Sequence, residues 1–472
     1  MATTVGQITS LNPATEEVLA TFDPYTPDEL EEAVAEAQAA FLDWRERTIA
    51  EREPFMRKLG ALLRERADRY GRLITLEMGK PITEAKAEIE KCAWACDYFA
   101  ENAKRYLADE RVPSTARQSV VAFEPLGVVL AVMPWNFPFW QVVRFAAPAL
   151  MAGNAAVLKH ASNVPQCALT IEEAVRDAGF PEGLLRTVLV SGGAIEPLIA
   201  DDRIRAVTLT GSSDTGSRIA ELAGRALKKT VLELGGSDPF IVLADADLEA
   251  AAATGARARN QNAGQSCIAA KRFIAERAVA DDFERKFAKA VEDLVVGDPL
   301  DAKTQVGPLA RRDLLETLER QVDASIRMGA RVLTGGERLS GKGFFYRPTV
   351  LADVTPNMPV FREETFGPVA AVLRVRDADE AVRAANDSAY GLGASLWTRD
   401  AARGDRLARK IESGSVFING MVASDPRLPF GGIKRSGYGR ELSAFGIREF
   451  TNIQTIWIGP AETQQPTSKP AE

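Results

Sequence analysis

Short apolar runs separated by helix-like stretches recur from residue 127 onward, and this alternation limits the chain to few folds. The first runs are Val128 to Val132, Ala155 to Leu158, Thr187 to Val190, Ala206 to Leu209 and Thr230 to Leu232. Buried strands that alternate with helices predict a doubly wound parallel α/β sheet. Such a sheet binds ligands at the carboxyl ends of its strands. Suggestive residues stand at four of these ends, namely Pro134-Trp135-Asn136, Lys159, Gly211-Ser212 and Glu233.

A second alternating series begins after Gly235-Gly236 and predicts a second α/β domain. Its strand candidates are Phe240 to Leu243, Arg331 to Leu333, Val369 to Val375, Ala394 to Trp397 and Ser415 to Ile418. Two other segments, Gln118 to Phe123 and Asn452 to Ile458, alternate polar and apolar residues like exposed strands. Such strands either pair between subunits or form simple edges of one sheet. Upstream, Thr26-Pro27-Asp28-Glu29 predicts a capped helix start.

The composition narrows the possible partners. The chain has 58 Lys and Arg residues interspersed with 65 Asp and Glu residues, so we expect a small-molecule partner and no nucleic acid. The four cysteines are too scattered for a disulfide framework, which predicts a reduced, cytoplasmic protein. No signal-peptide pattern or apolar stretch of the ~20 residues that cross a bilayer is found, so no membrane segment is expected.

The single histidine, His160, limits the catalytic schemes. A Ser-His-Asp triad, a Cys-His dyad and a multi-histidine metal site would each have to share this one residue. The nucleophile candidate is instead Cys267, which is either an inert buried thiol or a thiolate activated by a helix N-terminus or a cation. We therefore expect chemistry without a metal.

Three further motifs have two readings each. Gly211-Ser212-Ser213-Asp214-Thr215-Gly216 is either a plain turn or a phosphate contact after a strand. Glu233 is either a solvated strand end or a buried carboxylate with a raised pKa. Asn136, between Trp135 and Phe137, is either a turn residue or a rigidly held amide donor.

The motifs together, in their order and spacing, resemble the aldehyde dehydrogenase superfamily, and the likeness runs from Asn12-Pro13-Ala14-Thr15 to Pro429-Phe430-Gly431-Gly432. The motifs that carry it are Pro134-Trp135-Asn136-Phe137-Pro138, Gly211-Ser212, Glu233-Leu234-Gly235-Gly236, Gly264-Gln265-Ser266-Cys267 and Glu363-Glu364-Thr365-Phe366-Gly367-Pro368. The resemblance implies that the Cys267 thiolate attacks an aldehyde and forms a thiohemiacetal. It implies that Asn136 and the Cys267 backbone N–H hold the oxyanion, and that Glu233 activates the water that hydrolyses the thioester.

The same resemblance implies a nicotinamide cofactor. Lys159 and Glu364 match the residues that hold the ribose hydroxyls, Phe366 matches the aromatic beside the nicotinamide, and Gly211 and Ser212 match the pyrophosphate contact. Trp135, Asn136 and Leu234 lie along the same cleft. NAD-restricted relatives commonly have glutamate where this chain has Ser162, so the cofactor is NADP or NAD, and NADP is favoured.

Within the family, the chain resembles bacterial succinate-semialdehyde dehydrogenases, because His160 follows Lys159 and because of Gly439-Arg440-Glu441-Leu442-Ser443. The resemblance implies that Arg144 and Ser424 bind the substrate carboxylate. Gln261 stands where better-known relatives have a second arginine, and Arg427 is a candidate substitute or a surface charge. Ala269 replaces the cysteine with which some relatives form a switchable disulfide, so no such switch is expected.

The resemblance also implies a division of the chain. Residues 1–110 and 126–234 are predicted to form a cofactor-binding domain and residues 235–430 a catalytic domain. Residues 111–125 and 445–459 are predicted to be oligomerisation strands of a homodimer or homotetramer. Residues 460–472 are predicted from their composition, rich in Pro, Gln, Thr and Glu, to form a disordered tail. The alternatives to oxidation of succinate semialdehyde are a broad-specificity aliphatic aldehyde dehydrogenase, a cofactor-independent thioester hydrolase, and a non-catalytic binding or structural protein on this scaffold.

Overall fold

A computed structural model describes residues 6–459, so the predicted tail at 460–472 lies outside the described residues. The strands are β1 Ile8–Leu11, β2 Val18–Phe22, β3 Glu110–Arg111, β4 Gln118–Pro125, β5 Val128–Met133, β6 Ala155–His160, β7 Leu185–Thr187, β8 Ile204–Thr210, β9 Lys229–Glu233, β10 Asp238–Val242, β11 Ala270–Glu276, β12 Arg331–Thr334, β13 Thr349–Ala352, β14 Val369–Val375, β15 Tyr390–Gly391, β16 Gly393–Trp397, β17 Ser415–Ile418, β18 Ile433–Lys434, β19 Gly437–Tyr438 and β20 Thr451–Ile458.

The helices surround these strands. They are α1 Pro27–Trp44, α2 Ile49–Glu65, α3 Ala67–Met78, α4 Ile82–Tyr106, α5 Pro138–Met151, α6 Pro165–Asp177, α7 Ile195–Ala200, α8 Ser213–Arg225, α9 Leu248–Asn260, α10 Arg277–Glu292, α11 Arg312–Arg327, α12 Pro359–Arg362, α13 Ala378–Asn386, α14 Ala401–Ala408 and α15 Ser443–Glu449. The predicted start of α1 is confirmed, because Thr26 and Glu29 form a reciprocal capping box and Pro27 is the first helical residue. None of the helices described is long and apolar enough to cross a membrane.

The first sheet has the strand order β19-β9-β8-β5-β6-β7. All neighbours pair in parallel except β19, which returns from the C-terminal region and pairs antiparallel to β9. The chain moves outward from β5 through β6 to β7 and then returns to place β8 on the other side of β5. This reversal creates the crevice at the strand ends where such sheets bind ligands.

The second sheet has the order β12-β13-β14-β11-β10-β16-β17 and is parallel except for the pair β12 and β13. Its central strands are buried on both faces. Phe240 and Val242 of β10 pack in a cluster with α9 and α10, whereas Ile241 packs on the opposite face in a cluster with α13 and α14. The α/β fold class with parallel sheets is thereby confirmed.

The two segments predicted to be exposed strands pair with each other. β20 runs antiparallel to β4 in a separate sheet of three strands with β3. β20 exposes large apolar side chains, with Ile453 65% and Trp457 55% exposed. The outer face of this small sheet is therefore apolar.

Three strand predictions need correction. β11 and β13 were missed, because Lys271 and Arg272 interrupt the apolar pattern of β11 and β13 has four residues. The run Thr187 to Val190 is not a strand, since β7 ends at Thr187 and Val188 to Val190 are buried in the loop that follows.

Candidate active site

The segment that carries Cys267 begins with a left-handed turn. Asn262, Ala263 and Gly264 have φ of 55°, 52° and 74°. This conformation is costly for an alanine, but the asparagine and glycine on either side tolerate it. A side chain at Gly264 would also collide, because its Cβ would lie 2.4 Å from the Gly367 carbonyl oxygen. The small residues before Cys267 are thus needed for the turn.

Two buried cations fix this turn to its surroundings. Arg259, at the end of α9, donates to the carbonyls of Gly264 at 2.8 Å and of Ala270 at 3.2 Å, and also to that of Gly367. The Lys271 ammonium donates to the carbonyls of Gly236, Ser266 and Cys267 at 2.6, 2.9 and 2.9 Å. Neither residue stood out in the sequence; for Lys271 the available signal was the charged pair that it forms with Arg272 inside the otherwise apolar run of β11.

The Cys267 side chain is partly buried and lines a cavity of about 200 Å³ between α4, α5 and the segment 422–430. Burial raises the pKa of the Cys267 thiol to about 12, while the positive charges of Arg144 and Lys271 oppose this shift. The residue does not begin a helix, so of the two activating features considered from sequence only the cations are present. The thiol is accessible but holds its proton at neutral pH.

Asn136 reaches the same segment from the loop after β5. Its side-chain amide nitrogen donates to the Gln265 carbonyl at 3.1 Å, and its own carbonyl accepts from Asn262 at 2.7 Å. The residue is buried, so these bonds fix the position of the amide. The side-chain nitrogen carries two hydrogens, and one remains to be donated into the site.

Glu233 ends β9 with a side chain that is 2% exposed. Neither carboxylate oxygen has a hydrogen-bond partner among the described residues. Burial raises the pKa of Glu233 well above its usual range, the neighbouring Glu441 carboxylate adds to the shift, and Arg144 and Arg440 oppose it. The structure thus favours the buried-carboxylate reading over a solvated strand end, and such a carboxylate is a strong base once it ionises.

Gly235 and Gly236 allow Glu364 and Cys267 to approach each other. A Cβ on Gly236 would lie 2.4 Å from the Cys267 carbonyl oxygen, and one on Gly235 would lie 2.6 Å from Glu364 Oε2. Glu364 Oε1 accepts from the Gly236 N–H at 3.0 Å and from Lys271 at 3.1 Å. The glycine pair thus joins the predicted ribose ligand to the predicted nucleophile.

Several of the predicted cofactor residues make close contacts within the fold. Trp135 and Phe366 meet edge to face with ring centroids 5.7 Å apart. Leu234 packs so closely over Gly216 that a Cβ there would lie 2.5 Å from its methyl carbons. Ser212, after Gly211, caps α8 by accepting from the Thr215 N–H at 3.3 Å.

The surroundings of Lys159 and Ser162 are compatible with a phosphorylated nucleotide. Lys159 lies at the end of β6, where burial lowers its ammonium pKa, so an anionic partner there would be favourable. Ser162 is exposed and carries no charge that would repel a 2′-phosphate. A buried lysine and an uncharged residue at position 162 are compatible with a bound 2′-phosphate.

His160 supports the loop that carries Asn136. Its Nδ1 accepts from the Ala161 N–H at 2.8 Å, so its Nε2 carries the proton and donates to the Pro138 carbonyl at 2.9 Å. Burial lowers the pKa of His160 to about 4, and the charge of Lys159 acts in the same direction. The imidazole is therefore a neutral bridge between β6 and the start of α5.

This assignment predicts an NMR result, because the chain has one histidine. With ¹⁵N-labelled histidine, the imidazole nitrogens should keep the shifts of the Nε2-protonated neutral tautomer from about pH 8 down to about pH 5. A titration midpoint near the ordinary value of about 6.5 would contradict the buried bridge.

Arg144 and Ser424, the predicted carboxylate ligands, both line the cavity. The Arg144 guanidinium, however, already forms a buried ion pair with Glu441, donates to Thr210 Oγ1 at 3.3 Å and stacks over Phe430 at 4.6 Å. Ser424 Oγ accepts a hydrogen bond from Lys91 at 2.7 Å. The sequence interpretation missed Glu441 and Lys91, since nothing in the spacing indicates that they approach these residues.

The two residues considered as a second carboxylate ligand differ in position. Gln261 lines the cavity as a neutral amide. Arg427 is exposed and forms a bidentate ion pair with Asp425, with distances of 2.9 and 2.6 Å, while it also stacks on Trp94. It is not among the described residues that line the cavity, which agrees with the surface-charge reading.

Comparisons with known proteins agree with the motifs. The family model described as the aldehyde dehydrogenase family matches residues 1–456. A probable succinate-semialdehyde dehydrogenase [NADP(+)] from Synechocystis sp. is 53% identical over 96% of this chain and 99% of the relative. Succinate-semialdehyde dehydrogenase [NADP(+)] 1 from Mycobacterium tuberculosis is 51% identical, with the same coverages of 96% and 99%. The crystal structure of succinic semialdehyde dehydrogenase from Streptococcus pyogenes in complex with NADP+ matches with a TM-score of 0.94 at 39% identity, covering 96% of this chain and 100% of that chain.

Proposed function

Because the chain belongs to the aldehyde dehydrogenase family, we propose that it oxidises succinate semialdehyde to succinate with NADP. The observation that carries the proposal is that Cys267 lines a cavity next to the segment that Asn136 contacts, and that the buried Glu233 lies near enough for its charge to act on the pKa of the Cys267 thiol. The near full-length relatives named for this substrate and cofactor support it.

The first half of the mechanism forms a bond to sulfur. The Cys267 thiol first transfers its proton to solvent water, and the thiolate then attacks the aldehyde carbon, which forms a C–S bond and places the negative charge on the former carbonyl oxygen as the C=O π bond breaks. The Asn136 side-chain N–H and the Cys267 backbone N–H donate to this oxyanion. Their positions are set in advance by the Asn262 and Gln265 contacts, so little reorganisation is needed in the transition state.

Oxidation then produces a thioester on Cys267. When bound, the nicotinamide supplies the hydride acceptor for the carbon attached to sulfur. Trp135, Phe366 and Leu234 provide an apolar wall that excludes water at this stage, while Lys271 holds Glu364 and the Cys267 carbonyl in a fixed relation.

Hydrolysis releases the acid. Glu233 removes a proton from water, the hydroxide attacks the thioester carbonyl, and the C–S bond breaks to regenerate the Cys267 thiolate. The raised pKa of Glu233 makes this carboxylate a better proton acceptor than an exposed one, and Arg144 and Arg440 stabilise its ionised form. The products are succinate and the reduced cofactor.

The substrate assignment is tested by paired kinetics. Succinate semialdehyde and butanal have the same chain length, but only the former carries a carboxylate. We expect kcat/KM for succinate semialdehyde to exceed that for butanal by a factor on the order of 10², since a site built for a charged group loses its interactions with an uncharged analogue. Equal values would favour a broad-specificity aliphatic aldehyde dehydrogenase.

Cofactor preference should depend on Ser162. Replacing Ser162 by glutamate places a carboxylate beside the position of the 2′-phosphate, so kcat/KM for NADP should fall by about 10- to 100-fold while that for NAD changes little. Ser162→Gln is the matched control, because it has the same bulk without the charge. If both variants lose NADP activity equally, bulk and not charge governs the preference.

The exposed face of β20 indicates how the protein assembles. The apolar outer face of β20, with Ile453 and Trp457, favours pairing with a second copy of the chain in a homodimer or homotetramer. Mass measurement by light scattering tests the assembly, and a monomer at micromolar concentration would contradict it.

The location is inferred from the cysteines. A thiol nucleophile must remain reduced, and Cys92, Cys96, Cys167 and Cys267 are all free, which supports a cytoplasmic location.

A further inference from the structure

We propose that Lys91, with the hydroxyl of Ser424, binds the terminal carboxylate of the substrate. The inference rests on the proposed function and names the cation that recognises the anion. It differs from the expectation from sequence, in which Arg144 was the cation that binds the substrate carboxylate. No motif pointed to Lys91, which is one of several lysines on α4.

Lys91 is placed to act on the cavity that contains Cys267. It lies in the middle of α4, is partly buried and lines the cavity together with Arg144 and Ser424. Its ammonium donates to Ser424 Oγ at 2.7 Å and lies 4.5 Å from the centre of the Trp140 ring. A carboxylate that joins this pair would accept one hydrogen bond from the ammonium and one from the hydroxyl, whose hydrogen is free to turn.

Arg144 is less available for an external anion. Its guanidinium is 2% exposed and its charge is balanced by the buried Glu441 carboxylate. Taking Arg144 away from Glu441 would leave a buried carboxylate without its counter-ion, which is strongly unfavourable. Lys91 forms no ion pair with any carboxylate among the described residues, so an incoming anion does not compete with a partner there.

The acidic residues near Lys91 are occupied elsewhere. Glu88 pairs with Lys80 and accepts the backbone N–H groups of Phe139 and Trp140, each at 2.9 Å. Glu84 accepts the Asn262 N–H at 2.7 Å. On the segment opposite α4, Asp425 is paired with Arg427. None of these three carboxylates therefore forms an ion pair with the Lys91 ammonium in place of the substrate carboxylate.

The burial of Lys91 and the charges around it also favour the binding of an anion there. Burial lowers the pKa of Lys91 to about 8, and the positive charge of Arg144 adds to the shift, while Cys92, Glu88 and Asp425 oppose it. A charged ammonium in such surroundings is stabilised when an anion binds beside it. Binding of a carboxylate therefore recovers part of the cost of burying this lysine.

The test compares two substrates in one variant. Lys91→Met keeps the length of the side chain and removes its charge. We expect kcat/KM for succinate semialdehyde to fall by about 10- to 100-fold, mainly through KM, while kcat/KM for butanal stays within about threefold. Succinate, as an inhibitor of butanal oxidation, should bind the variant at least about tenfold more weakly than the wild type.

Two further variants make the test specific. Lys91→Arg should retain most of the preference for the carboxylated substrate, because it restores the charge. Lys104→Met removes an exposed lysine from the same helix and should leave both substrates unaffected.

The outcomes separate the possible failures. If Lys91→Met keeps the wild-type KM for succinate semialdehyde and the wild-type inhibition by succinate, the inference is overturned. Parallel losses on both substrates would also overturn it, since they indicate a structural role. If the wild type itself fails to discriminate between the two aldehydes, the proposed substrate is wrong and the inference falls with it.

Discussion

Replacing Cys267 by alanine should lower aldehyde-dependent reduction of NADP by a factor on the order of 10⁴ to 10⁶. Without the sulfur no thiohemiacetal forms, and the donors around Asn136 have no oxyanion to stabilise. The Ser266 hydroxyl does not substitute, because a hydroxyl is a far weaker nucleophile at neutral pH. Steady-state absorbance of the reduced cofactor measures the loss.

The matched control is Cys96→Ala, which removes another free thiol from the core of α4, away from the cavity lining. This variant should keep wild-type kinetic constants once its fold has been confirmed by circular dichroism. If Cys267→Ala retains more than about one hundredth of wild-type activity, sulfur is not the nucleophile and the mechanism must be abandoned.

Replacing Glu233 by glutamine should separate oxidation from hydrolysis. Without the carboxylate, water is not activated, so steady-state turnover should fall by a factor on the order of 10² to 10⁴. Thioester formation continues, and rapid mixing should show a burst of one reduced cofactor per active site before the slow phase.

A small nucleophile tests this assignment independently. Hydroxylamine attacks thioesters without general-base help, so it should restore turnover in Glu233→Gln but not in Cys267→Ala. A burst that is missing from Glu233→Gln, or a lack of rescue by hydroxylamine, would mean that Glu233 acts before the thioester forms.

Much of the fold was predictable because the signals were local. The two-sided burial of β5 and β10 requires continuous apolar runs, and these runs are visible in the sequence. β11 was missed because Lys271 and Arg272 are buried there to bind carbonyl groups of other segments. A charged residue in a strand looks exposed until its partners are known, and those partners are distant in the chain.

The site shows the same limit. Cys267, Glu233 and Asn136 could be proposed as site residues from the sequence, because each stands in a short motif next to a strand end or turn. The sequence does not distinguish Arg144 from Lys91 as the proposed carboxylate ligand, since the difference lies in Glu441, which pairs with Arg144 from the segment before α15. Spacing indicates which side chains can approach a site, whereas the structure shows which of their charges are already paired.

The most direct test of the central claim is the mass of the covalent intermediate. Glu233→Gln, mixed with succinate semialdehyde and NADP, quenched in acid and digested, should yield one peptide heavier by a succinyl group, with the modification on Cys267. Peptides that contain Cys92, Cys96 or Cys167 should be unchanged. Formation of reduced cofactor without a succinyl group on Cys267 would contradict the account.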